Sequence, residues 1–183
     1  MYLTKHFSLE ELTASDTATR LGIDNTPVER VIENLRKTAV LAEQIRTALT
    51  EECGRSVPLN VLSGHRCEVL EKMLCARDYM AWCARRNMPW DDATWSMYFG
   101  TKGHPDGRCI DFKAPAFGTP LDIVGFISTK PVIMQQIDQI IMEGVTKSGC
   151  GWVHVGWSDN PRRQVKTATF DSCGTPTYTD GIV

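Results

Sequence analysis

Apolar side chains recur at helical spacing between residues 28 and 49. Val28, Val31, Ile32, Leu35, Ala39, Ala42, Ile45 and Leu49 fall on one face. This pattern predicts a long amphipathic helix that starts near Pro27 and stops at Gly54. Upstream, Ser8 and Glu11 have the spacing of a capping box for a short helix in HFSLEEL. The stretch from Thr13 to Asn25 is mostly polar and runs into the turn-like DNTP. Val57, Leu59 and Val61 alternate with polar or small residues, which predicts a strand ending at Ser63-Gly64. EVLEKMLCARDYMAWCARRN is compatible with a helix, and the residues after it gather Trp90, Trp95, Tyr98 and Phe99 in a short span. Such an aromatic segment is expected either to pack as core or to form the wall of a groove.

The second half alternates more often. Ile110 and Phe112 share one face of a β-type run, and Cys109 and Asp111 share the other. Residues 114–129 read as a turn followed by a helix. PVIMQQIDQIIMEG predicts another helix, with Ile133, Ile137, Ile140 and Ile141 inward and Gly144 at its end. WVHVGW is a strand in which Val153, Val155 and Trp157 oppose His154, and KTATFDSCGTPTYTDGIV reads as a final strand with a loose tail. The order of elements predicts an α+β fold with a small, mainly antiparallel sheet flanked by helices. No repeat or linker divides the chain, so residues 1–183 are expected to form one domain, with an enlarged helical and aromatic segment at about 68–99.

Composition narrows the function classes. A net charge of -2 gives no electrostatic reason to expect nucleic acid or an anionic membrane as partner. No apolar run approaches the roughly 20 residues needed to cross a bilayer, so membrane insertion is not expected. MYLTKHFSLEEL lacks a basic region followed by an apolar stretch, which points to cytoplasmic synthesis without a signal peptide. The seven cysteines are odd in number and include no Cys-x-x-Cys pair, so reduced thiols are expected rather than a disulfide scaffold. A monomer is expected.

Candidate chemistry centres on residues 100–115. His104 and Asp111 stand seven residues apart, with Gly107 between them. An imidazole and a carboxylate on such a turn are candidate metal ligands, and catalytic zinc usually takes three protein ligands and leaves a fourth position open. His154 is the candidate third. If its strand neighbours that of Asp111, the two side chains emerge on one side and His104 swings in from the loop. The plainer alternative is a pair of satisfied core or surface histidines. Arg66 lies just past the first strand, where functional groups often project, although a solvated surface arginine would also fit.

Six segments in order, HFSLEELTAS, VLSGHR, HPDGRCIDF, FGTP, WVHVGW and RRQVKTATF, together resemble the peptidase M15 family. That family comprises zinc D-Ala-D-Ala carboxypeptidases and phage peptidoglycan endopeptidases, and the likeness is strongest to its small phage-associated branch. It covers most of the chain except residues 68–99. The resemblance implies a Hedgehog/DD-peptidase-like zinc peptidase fold, a bound Zn2+ and a peptidoglycan stem peptide as substrate. It also implies action on the bacterial cell wall, either after release from a host cytoplasm or from a virion.

Residue by residue, the family's His-x-x-Gly-x-Ala-x-Asp pattern falls on His104, Gly107, Cys109 and Asp111, and its last zinc ligand falls on His154. Its Ser-Gly-Tyr-Arg motif falls on Ser63, Gly64, His65 and Arg66. Arg66 is then expected to bind the substrate carboxylate or a developing oxyanion. The family's general base lies three residues before the last histidine, where this chain has Gly151. Glu143 is the substitute candidate. At a helix C-terminus the macrodipole would raise its pKa and suit it to proton transfer, whereas an ordinary exposed glutamate is the alternative. His65, Cys109 and Lys102 also depart from the family pattern. Cys109 is expected to be a small packed residue rather than a ligand. These departures motivate a second reading, a non-catalytic phage structural or wall-binding protein of the same fold.

Overall fold

The computed structural model describes residues 1–146 and 150–183. Two short helices, α1 (Leu9–Thr13) and α2 (Asp16–Leu21), precede the long α3 (Glu29–Cys53). Ser8 Oγ accepts from the Glu11 amide at 3.1 Å and caps α1. Gly54 closes α3 in the left-handed conformation. The strand β1 (Asn60–Ser63) follows, then three helices, α4 (Glu68–Leu74), α5 (Ala76–Arg86) and α6 (Asp92–Phe99). The remainder is β2 (Cys109–Lys113), α7 (Pro120–Ser128), α8 (Pro131–Met134), β3 (Ile137–Glu143), β4 (Trp152–Trp157), β5 (Gln164–Phe170) and β6 (Pro176–Asp180).

The six strands form one sheet in the order β1-β2-β4-β3-β5-β6, and only the β3–β5 pair is parallel. This is an α+β fold with a mostly antiparallel sheet. One sheet face is apolar and packs against the buried stripe of α3 and against α7. Leu35, Ile45 and Leu49 from α3 meet Ile110, Phe112, Val153 and Val155 in that core. The opposite face carries Asp111, His154 and Glu143, because alternate residues of a strand point to opposite sides.

Three expectations from the sequence are corrected. Residues 131–144 are not one helix: α8 covers only its first turn, and Ile137–Glu143 is β3, inserted between β4 and β5. The apolar spacing fits either element, and the β-branched isoleucines fit a strand buried among neighbours better. Glu143 therefore ends a strand, and no helix dipole acts on it. The helix-compatible run from residue 68 breaks at Cys75 into α4 and α5. The loose tail contains β6, which pairs along β5.

Helices α5 and α6 carry their own small core of Tyr79, Cys83, Trp95 and Tyr98, separate from the main one. Trp95 Nε1 donates to Glu68 Oε1 at 2.7 Å, tying α6 back to α4. None of the helices among the described residues is long and apolar enough to cross a membrane.

Candidate metal centre

Antiparallel pairing of β2 and β4 sets Asp111 directly opposite His154. His154 Nδ1 lies 2.7 Å from Asp111 Oδ1, and His104 Nε2 lies 3.3 Å from the same oxygen. His104 arrives on the loop before β2. A carbonyl oxygen can only accept, so its Nδ1–H donates to Gly64 O at 2.6 Å, which leaves Nε2 to face Asp111. Donor atoms of His104, Asp111 and His154 all lie within 4.8 Å of one another. Two ligands at ~2.0–2.1 Å from a tetrahedral ion stand roughly 3.3 Å apart, so small movements would bring the three around one ion. This buried group can hold a metal ion.

The loop that carries His104 is clamped by α3. Gly107 has φ +69°, and a Cβ there would come within 2.9 Å of Leu35 Cγ and the Val31 carbonyl. Only glycine meets both demands. Thr38 Oγ1 donates to Gly107 O at 2.6 Å and accepts from Trp157 Nε1 at 2.7 Å, joining α3, the loop and β4 through one hydroxyl. Asn34 Nδ2 donates to Asp106 O at 2.8 Å.

Electrostatics polarises the group. Burial, reinforced by the Arg66 charge, pushes the pKa of His104 below the usual imidazole range. Burial alone would also depress His154, but Cys109 and Asp111 hold it well above that range. Burial would raise Asp111, yet the two imidazoles hold its carboxyl well below the usual carboxylate range. An ionised carboxylate between imidazoles is a donor set suited to a divalent cation.

Arg66 does not project into solvent. Its Nη2 donates to Asp111 Oδ2 at 2.6 Å and its Nε to Ser63 Oγ at 2.7 Å. Burial would lower its pKa, but Asp111 and Glu71 raise it. Glu143 comes to the same sheet face by register: Ile141 of β3 pairs with His154, and Glu143 pairs with Trp152 two residues away. Trp152 Nε1 donates to Glu143 Oε2 at 2.9 Å. Burial raises the Glu143 pKa, partly offset by His154. The anticipated fold-back of the loop from Gly144 to Gly151 lies partly outside the described residues, at 147–149, and β3 alone delivers Glu143 to this face.

Position 151 has no room for a side chain. Gly151 has φ +133°, and a Cβ there would stand 2.6 Å from the Glu143 carbonyl oxygen. The segment that could have carried a carboxylate instead presses its backbone onto the residue that does.

The remaining departures have structural places. Cys109 is buried and packs beside Nε2 of His154, outside the three-donor group. His65 is buried, and its backbone N–H donates to Leu12 O at 2.7 Å. Lys102 Nζ donates to Asp78 Oδ2 at 2.8 Å and lies over the Tyr98 ring, so it fastens the loop before His104 to α5 and α6.

A cleft of about 1170 Å³ opens over this face. Glu71, Asp78 and Trp82 line the side formed by the 68–99 helices, while Glu143, Trp152 and Tyr178 line the sheet side. Sequence reasoning missed Glu71, a buried acid that touches Arg66. Nothing in the helical pattern separates it from the exposed Glu68 three residues earlier.

No family model matches the chain, and no curated protein matches it.

Proposed function

We propose that this chain is a zinc-dependent peptidase of the M15 type that hydrolyses peptide bonds in peptidoglycan stem peptides. The observation that carries the reading is the buried His104–Asp111–His154 group on the floor of a large cleft, with a second, half-buried carboxylate, Glu143, on the same sheet face. Two imidazoles and one carboxylate are a common zinc set that leaves a position open. Zinc bound there would polarise the scissile carbonyl and lower the pKa of a water molecule.

The chain's own groups would do the rest. Glu143 would take the proton of the attacking water as its oxygen bonds to the peptide carbonyl carbon. It would then return that proton to the amine as the C–N bond breaks. Burial that raises the Glu143 pKa suits both directions of transfer. Trp152 would hold the carboxylate by Oε2 throughout. Arg66 lines the cleft, and the N–H groups not spent on Ser63, Glu71 and Asp111 would meet the substrate carboxylate or the oxygen that gains charge. Cytoplasmic synthesis, action on the wall after release or from a virion, and a monomeric state belong to this proposal.

The test is digestion of purified peptidoglycan, with mass spectrometry of the muropeptides and metal analysis of the protein. New amine ends and about one zinc per chain are expected for a single catalytic site. His104→Ala should lose both; full lytic activity with bound zinc in that variant would sink the assignment. Gly151 favours the second reading, a wall-binding module without catalysis, and binding to the wall with no new amine ends would establish it.

A further inference from the structure

Each nitrogen of the Arg66 guanidinium has a partner. Nε donates to Ser63 at the end of β1, Nη2 to Asp111 Oδ2 on β2, and Nη1 reaches Glu71 Oε2 on α4 at 3.5 Å. Glu71 is 1 % exposed. Its other oxygen, Oε1, accepts from the Cys75 thiol at 3.0 Å. Burial and the Glu71 charge push that thiol up to about 12, so it stays protonated and donates. The carboxylate thus has a partner on each oxygen, as a buried charge requires.

This arrangement divides the work of the Asp111 carboxylate. Oδ2 is occupied by Arg66, while Oδ1 alone faces His104 Nε2 and His154 Nδ1. Arg66 also places a positive charge beside the position a cation would take. Glu71 offsets it: Asp111, Arg66 and Glu71 together carry one net negative charge, and without Glu71 they would carry none.

We propose that Glu71 is a positioning residue for the metal centre. It holds Arg66 so that Asp111 offers a single oxygen to the ion, and it restores negative charge to the site. The segment at 68–99 is on this account a working part of the centre as well as a wall of the cleft. The proposal rests on the metal-binding reading of His104, Asp111 and His154 and is independent of the peptidase reading.

The experiment is calorimetric titration of zinc into the full chain and its Glu71→Gln and Glu71→Asp variants. It is accompanied by cobalt(II) absorption spectra and by thermal melting without metal. Glu71→Gln should weaken zinc binding ~10–100-fold and shift the cobalt bands, as changes behind a metal ligand do. Glu71→Asp, which keeps the charge, should recover part of the affinity. A Glu71→Gln protein that melts lower yet binds zinc at wild-type affinity overturns the proposal, because Glu71 would then be structural only. Should Glu71→Gln fail to fold, Arg66→Lys is read in the same way. It keeps the charge but lacks the planar fork that spans Ser63, Glu71 and Asp111, so unchanged affinity there is equally fatal. Wild-type protein that binds no zinc overturns this proposal and the metal reading together; tight zinc binding without peptidoglycan cleavage overturns the peptidase reading alone.

Discussion

Trp152 Nε1 donates to Glu143 Oε2 at 2.9 Å across the β3–β4 pair. This bond favours the ionised carboxylate, against burial that favours the neutral one. Trp152→Phe should therefore raise the Glu143 pKa further. A general base works when deprotonated, so the acid limb of the pH–rate profile should move to higher pH in Trp152→Phe. A profile superimposable on wild type would remove Glu143 from the proton pathway.

Glu143→Gln separates chemistry from metal binding. The amide oxygen can still accept from Trp152, but the side chain can no longer take a proton. A rate loss of about 10²–10⁴-fold is expected, with zinc affinity kept near wild type. Muropeptide release and zinc titration on the same preparation check both halves.

Placing a carboxylate at position 151 should fail. In Gly151→Glu a side chain must sit at φ +133°, with its Cβ 2.6 Å from Glu143 O. Strain of this kind costs about 1–3 kcal/mol, so a lower melting temperature and no gain in hydrolysis are expected. A variant that is both stable and more active would show that the backbone here has another arrangement.

Thr38→Val tests the clamp on the His104 loop. The change is nearly isosteric but strands the Gly107 carbonyl and the Trp157 indole N–H in the interior. A loss of about 1–3 kcal/mol is expected in urea unfolding, with weaker zinc binding as the loop loosens. Zinc affinity unchanged beside the stability loss would mean that α3 supports the fold without ordering the site.

Asp138 supplies an acid-side signal that does not involve the three donor residues. Hydrogen bonds from Arg162 hold its carboxyl below the usual range, with burial opposing them. A depressed folded-state pKa stabilises above the unfolded value and is lost as pH falls through the folded one. Asp138→Asn should thus cost stability at neutral pH, and the gap to wild type should close in acid. Arg162 is half-exposed, so the gap is at most about 1 kcal/mol.

How much of this could be read from the chain depends on the range of the signal. Alternation in CIDF and WVHVGW puts Asp111 and His154 opposite the apolar side chains, so their shared face was legible before any pairing was known. His104 and Gly107 were legible as a loop, but the reason for Gly107, the approach of α3, is a tertiary fact. Glu143 is legible as a candidate carboxylate, but its setting at a helix end is not what the fold gives. Its residue type and position drew attention, yet isoleucines at 137, 140 and 141 fit a helix and a buried strand alike, and only insertion between two strands decides it. Arg66 on Asp111, and Glu71 behind it, join three elements. No periodicity encodes such a contact. The split at Cys75 and the pairing of β6 were hidden for the same reason.

The pairing of Asp111 with His154 joins positions 43 residues apart. An ion held between them would act as a reversible cross-link, closing that span much as a disulfide closes a loop and limiting the freedom of the unfolded chain. The span contains α7, α8 and β3, which build much of the sheet and its apolar backing. Removing the ion would then do more than silence a reaction: it would unfasten a clasp, and protease resistance of the region between the two ligands would become a readout of metal occupancy.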